Sequence, residues 1–388
     1  MGVRGLRSAL VAVVLACVLT ACGTSSSPSG GPAQTGPAAG LATTLPRAEG
    51  ALRLLVRQGY AEGSWVAPFE RSTGCKVDVR YADTADGLRR GADNWSFDVA
   101  SIPGGLAYAV ASDGAARALN PDLVPIHSTF MPPFRDPAAG RAGTRRYGIA
   151  FLWSPRLLIW RTSIRKHAPA TWAPLSYNAK VRRGRVALED TPLGIGDAAL
   201  ELRTRLPGLA IGDPYALDEP QFAAALALTK RRLSLAGALW QVPGDQIDAF
   251  DGGLVDVGAG DWYTTKQIRD QNVDVGLTLP RGGAPGEVDL WMLGARAPHP
   301  GCAYRWMRYA STARVQARVA RFYGATPVNP NACGVLGKTA CDELHADASS
   351  AFLRRIAFRH TPVEHCGGGR RCVPFARWEG AWLQLRNG

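Results

Sequence analysis

The chain has 388 residues, 46% of them hydrophobic, and a formal net charge of +13. That length is enough for two lobes. The basic balance points to nucleic acid or to an anionic surface; the arginines are scattered and no zinc-finger spacing or RNA-binding aromatic signature occurs, which sets nucleic acid aside.

At the N-terminus, Arg4 and Arg7 precede the apolar run ALVAVVLACVLTA. A helix needs about 20 apolar residues to cross a bilayer, and this run is shorter. A positive start, a short apolar middle and a small-residue exit describe a secretory signal peptide over residues 1–21, with an uncut membrane anchor as the alternative. The residues Leu19-Thr20-Ala21-Cys22 resemble the bacterial lipobox. That resemblance implies export, with Cys22 as a lipidated new N-terminus held at the extracytoplasmic, periplasmic-side face of the cell membrane. Several acyl chains anchor stably, whereas one alone binds reversibly. Loss of the leader removes Arg4 and Arg7 and lowers the formal charge to +11. Residues 23–47 are mostly Ser, Gly, Pro, Ala and Thr. Such a segment cannot offset its ordering entropy, so residues 22–49 are expected to form a lipidated tether.

Six cysteines follow the leader and Cys22: Cys75, Cys302, Cys333, Cys341, Cys366 and Cys372. An even count in an exported chain indicates disulfides, with fifteen possible pairings. Local spacing favours Cys333–Cys341 and Cys366–Cys372, which leaves Cys75 with Cys302. The rival is a metal site at Cys366 and Cys372 with His360 and His365, but no C-x-x-C spacing occurs.

Strand and helix patterns then alternate. LRLLVR reads as a strand, SWVAPFERSTG as a short helix from Ser64 that stops on Gly74, KVDVRY and FDVASI as strands, and LAYAVASDGAARAL as a helix. In YGIAFLWSPRLLIWRT, Pro155 and Arg156 divide two apolar runs, where the chain is expected to cross between lobes. A second set follows: the strand GRVALED, the helices GDAALELRTRL and PQFAAALALTKRRLSL, the strand LVDVGAG, a helix from Trp262 and the strand VDVGLTL. Breakers over Pro280–Gly286 predict a loop. The strand DLWMLGA and a helical stretch from Tyr304 to Phe322 come next. The order implies an α/β fold with mostly parallel sheets covered on both faces. Residues 50–150 and 282–388 are expected to form lobe one and 151–281 lobe two. Such interleaved lobes leave a cleft whose hinge closure traps a ligand.

The order of these pieces resembles the extracytoplasmic substrate-binding proteins of ABC importers, most of all the spermidine/putrescine-binding family. FERSTGCKVDV is similar to that family's T-G-x-K-V segment, and FDVASIP to its Y-D-[LV]-V-x-P strand. YGIAFLW resembles its crossover, and ATWAPL and RGRVALED its S-W-x-D-L and K-G-[KR]-[IV]-x-[LM]-x-D pieces. GGLVDVGAGDW, WMLGARAP and RWEGAWLQLRNG are similar to its G-E-[VA]…W, W-x-D-S-x-[AV]-I-P and closing W-x-x-[VL]-K-x-G segments. The resemblance implies a bilobal periplasmic-binding-protein (type II) fold, a monomer, a permease as partner, no cofactor and no metal. It also implies a polyamine-like cation boxed by aromatic faces and paired with carboxylates. The aromatics so implied are Tyr60, Trp262 and Trp291. The W-x-D acid is Leu293 here, Ala325 replaces a family Tyr, and the family's Ser/Tyr pair after strand three falls in Pro103–Gly105. Asp190 and Asp261 are the candidate substitute acids, each with a helix cap as its alternative duty. Asp289 is a third, unless its strand turns it outward. The departures leave room for another small amine, an amino-acid-like compound, or an anion met by Arg156 or Arg57.

Catalytic patterns are missing: no G-x-S-x-G, H-E-x-x-H, Walker loop or G-x-G-x-x-G occurs. A binding protein is therefore expected rather than an enzyme. A cell-surface lipoprotein with a different solute or a protein partner, and a secreted hydrolase with dispersed residues, are the alternatives.

Overall fold

The computed structural model describes residues 41–176 and 183–387. The signal peptide, the lipidation site Cys22 and most of the tether lie outside the described residues. Two mixed sheets carry the architecture, each flanked by helices.

The larger sheet runs in the order Thr326–Pro327, Gly148–Pro155, Ala284–Gly294, Val99–Pro103, Ala51–Val56, Lys76–Tyr81. Ala51–Val56 pairs in parallel with both of its neighbours. Leu52, Leu54, Leu55 and Val56 are fully buried. A strand with neighbours on both edges and layers on both faces has no solvent side, which is why LRLLVR does not alternate cleanly. The smaller sheet runs Ala236–Trp240, Val186–Glu189, Val257–Gly260, Leu157–Arg161, Val275–Thr278.

Neither sheet is mostly parallel, in contrast to the sequence expectation. Ala284–Gly294 runs antiparallel to Val99–Pro103 and to Gly148–Pro155. Leu157–Arg161 runs antiparallel to Val257–Gly260 and Val275–Thr278. These strands carry the chain from one sheet to the other. They enter without the helical crossover that enforces parallel pairing. Gly148–Pro155 lies in the larger sheet and Leu157–Arg161 in the smaller, so Arg156 alone joins them. The return runs from Val275–Thr278 to Ala284–Gly294.

The breaker-rich loop before that return is shorter than predicted. Ala284, Pro285 and Gly286 belong to the strand and pair with Ile356–Phe358. The helical stretch over 304–322 is two helices, Pro300–Ala310 and Ala313–Tyr323, split where the Thr312 side chain caps the second. The helical reading of 106–119 stops early: the helix is Gly104–Ser112, and Ala116–Arg117 is a short strand. The closing helix Phe375–Asn387, expected with lobe one, pairs its Glu379 with Arg89 and also packs against helices of the middle segment. Its Phe375 and Trp378 share a core cluster with Ile195, Leu202 and Phe222 from the helices Gly194–Arg205 and Glu219–Leu233.

Among the described residues three disulfides are present: Cys75–Cys302, Cys333–Cys341 and Cys366–Cys372. The sulfurs of Cys366 and Cys372 are thus bonded to each other and are not free thiolates for a metal. Among the described residues no helix is long and apolar enough to cross a membrane.

Candidate ligand-binding cleft

A cavity of about 580 Å³ is lined from both sheets. Its walls are strand ends: Arg57 follows Ala51–Val56, Ser154 precedes the crossover at Arg156, Glu189 and Trp240 close their strands, and Asp261 follows Val257–Gly260. Loops and side chains beyond the carboxyl ends of strands are where α/β sheets bind ligands. A second cavity, of about 320 Å³, shares Arg57, Arg156, Glu189 and Glu287 with the first. Volumes of this size suit a small organic molecule.

The larger cavity has two arginines, Arg57 and Arg156, and six carboxylates: Glu62, Asp83, Glu189, Asp261, Glu287 and Asp289. In a protein of net charge +13 this is an inverted local balance. Five aromatic side chains, Tyr60, Trp240, Tyr263, Phe322 and Tyr323, complete the wall. Arg156 binds Glu189 at 3.2 Å and lies 3.7 Å from Asp261, with its guanidinium 5.5 Å from the centre of the Trp240 ring. Arg57 pairs with Asp289 at 3.5 Å. Tyr60 donates its hydroxyl proton to the same Asp289. The Asp289 Oδ1 and the Arg57 Nε are both buried without a hydrogen-bond partner.

Behind this wall Arg359, 2% exposed, reaches Asp197 at 2.5 Å and Glu189 at 2.9 Å. Burial works against a charged Glu189, but Arg156 and Arg359 outweigh it and hold its carboxyl well below the usual range. Glu287 differs. It accepts the Gly105 N–H at 3.1 Å, and Arg359 is 3.9 Å away. Burial dominates and pushes Glu287 up to about 7, with Asp289 adding to the rise and Arg359 opposing it.

A carboxyl raised from 4.5 to about 7 binds its proton more tightly in the folded state, so its contribution to stability is present at low pH and lost as pH rises through 7. Glu287→Gln is therefore expected to match the wild type below about pH 4, under the unfolded carboxyl value. By pH 8 it should be the more stable by about 3 kcal/mol, from roughly 1.4 kcal/mol for each pH unit that separates the folded and unfolded values. Urea melts of both proteins at the two pH values check this, and a gap that does not grow with pH would contradict it.

The sequence-derived site residues fall into two groups. Tyr60 and Asp261 line the larger cavity and Asp190 the smaller. Asp261 holds both duties considered for it: it accepts the Thr264 N–H at 2.8 Å as a helix cap and faces Arg156. Asp190 is not a cap; it is taken by Gln241, the Trp382 indole and Arg386. Trp291 and Trp262 are the corrections. Trp291 is fully buried among Tyr60, Phe151 and Trp306, since its strand is central to the larger sheet. Trp262 stacks on His345 at 4.0 Å and meets Trp153 edge-on, and the next residue, Tyr263, lines the cavity instead. Only a glycine fits opposite that ring: Gly324 has φ +82°, and a Cβ there would lie 2.1 Å from Tyr263. Asp289 points into the cleft. Glu189, Glu287, Arg359, Trp240 and Tyr323 are not singled out by the sequence; the adjacency of Glu189 to Asp190 in RVALED is the nearest signal.

A model of the bacterial extracellular solute-binding proteins matches residues 64–334. The chain belongs to this family. Among solved structures, this solute-binding protein is similar to a putative spermidine/putrescine ABC transporter from Listeria monocytogenes. They share 15% identity over 87% of this chain and 99% of that one, with a TM-score of 0.69. It is also similar to the Tp0655 (TpPotD) lipoprotein of Treponema pallidum, at 13% identity over 87% and 100% of the two chains and a TM-score of 0.69. A third is the binding protein MotA from A. tumefaciens B6 in complex with glucopine: 15% identity, 87% and 99% coverage, TM-score 0.66. At these identities the likeness speaks for the fold, the bilobal type II periplasmic-binding-protein architecture.

Proposed function

We propose that this solute-binding protein is a lipid-anchored, monomeric receptor on the extracytoplasmic face of the membrane. It closes on a small organic amine, a polyamine such as spermidine or putrescine or a related cation, and hands it to the permease of an ABC importer. One observation carries the ligand class: six carboxylates against two arginines in a cleft of about 580 Å³, in an otherwise basic chain. Carboxylates in a partly dehydrated cleft favour a cation. The aromatic side chains Tyr263 and Tyr323 in the cavity wall suit both its charge and its methylene groups. The likeness to proteins described as spermidine/putrescine transporters supports the same reading. Binding, not catalysis, is what such a cleft does.

A second reading has its own support. The unpartnered Arg57 Nε in the cleft wall suits an amine that also carries a carboxylate, and one similar structure holds glucopine. A thermal-shift screen separates the classes. A ligand at a hundred times its Kd should add about 2.7 kcal/mol to stability. Putrescine and spermidine are expected to raise Tm, with γ-aminobutyrate doing so on the second reading. Stabilisation by sugars or inorganic anions alone would sink both.

A further inference from the structure

Five carboxylates and three arginines cluster at and behind the two cavities: Glu189, Asp197, Asp261, Glu287 and Asp289 against Arg57, Arg156 and Arg359. Four of the acids have an arginine within 3.7 Å. Glu287 has none nearer than 3.9 Å. The cluster is thus short of positive charge, and the shortfall is concentrated at one side chain. Glu287 lines both cavities. Asp289, two residues along the same strand, faces the same side and keeps its Oδ1 buried without a partner. Asp289 is engaged by Arg57 and the Tyr60 hydroxyl, so Glu287 is the acid of this set with the weakest counter-charge.

We propose that Glu287 is the specificity-determining carboxylate of the cleft, receiving the ammonium group of the ligand with Asp289 beside it. The inference rests on the amine reading above and names the residue that performs it. Leu293, where the resembling family carries its acid, is buried six residues further along the same strand. The groups that face Glu287 come from four places. Gly105 N–H comes from the helix Gly104–Ser112, Asp289 from its own strand, Arg359 from the segment after Ile356–Phe358, and Arg156 from the crossover. Arg57 adds a weaker field from the end of Ala51–Val56. None supplies a close counter-charge, and burial keeps Glu287 protonated to about pH 7.

An ammonium at hydrogen-bond distance favours the charged carboxylate. Docking therefore drives off the proton that Glu287 holds in the empty cleft at and below neutral pH. Affinity then weakens as pH falls below 7, approaching about tenfold per unit, and levels off above pH 8.

Putrescine is the probe. Titrated calorimetrically at pH 7 in phosphate and in Tris, the wild-type protein should give apparent enthalpies that differ in the direction of the buffer ionisation heats, as proton release requires. Glu287→Gln should bind about tenfold or more weakly, since a charge-assisted hydrogen bond is lost, and its enthalpies should agree between buffers. Glu287→Asp keeps the charge and should retain the buffer dependence. Putrescine binding with equal heats in both buffers, or Glu287→Gln binding as tightly as the wild type, overturns the inference and leaves the amine reading standing. No putrescine binding at all overturns both.

Discussion

Replacing Arg359 with alanine should cost about 3–5 kcal/mol, the range for removing one partner of a buried ion pair. Arg359 is almost wholly buried and holds Asp197 at 2.5 Å and Glu189 at 2.9 Å. Its loss leaves two carboxylates inside the protein with less than their counter-charge, and Glu287 loses its nearest cation as well. Typical domains have only about 5–15 kcal/mol in reserve, so the variant should unfold at much lower urea. Arg359→Lys keeps the charge but lacks the planar fork that reaches several carboxylates at once, and should recover only part of the loss. A urea midpoint within about 1 kcal/mol of the wild type for the alanine variant would show that the network is not holding the two sheets together.

The second large effect is at Cys75–Cys302. This bond joins the start of Lys76–Tyr81 to the helix Pro300–Ala310 across a separation of 227 residues. Closing so long a loop restricts the unfolded chain by about 5 kcal/mol on the loop-entropy relation, against about 2 kcal/mol for Cys366–Cys372, separated by 6. The Cys75→Ala/Cys302→Ala double variant should therefore lose clearly more stability than Cys366→Ala/Cys372→Ala. Denaturant melts of both under non-reducing conditions test the order, and equal losses would contradict it.

What the sequence discloses here follows from which physics is local. Apolar runs such as LRLLVR and FDVASI mark central strands because burial on both faces leaves a record in the residues themselves. Pro155-Arg156 marks the passage between sheets for the same reason: two apolar strands are interrupted by a ring and a charge. Thr312 splits a helix that apolar periodicity alone draws as continuous, and its capping side chain is the available sign. The antiparallel strands escape such a reading because pairing direction depends on how the chain arrives, which periodicity does not record.

The site is harder because it is assembled from distant pieces. Tyr60 and Asp261 follow strand ends and line the larger cavity. Trp262 does not, because one residue along a helix turns a side chain by a large angle, and here Tyr263 takes the open position. Trp291 belongs to a strand covered on both faces, so its indole is core packing. Glu287 sits after Ala284-Pro285-Gly286, a run that reads as a loop until its pairing with Ile356–Phe358 is seen. Arg359 pairs with acids 162 and 170 positions away, a relation no local pattern displays.

The most direct measurement of the central claim is a calorimetric titration of the mature wild-type chain with spermidine and with putrescine at pH 8, where Glu287 is ionised. Saturable one-to-one binding of at least one of them, weakened in Glu287→Gln, is the predicted result. Absence of heat with both amines, together with an unchanged melting temperature, would contradict the assignment of the cleft to a small organic cation.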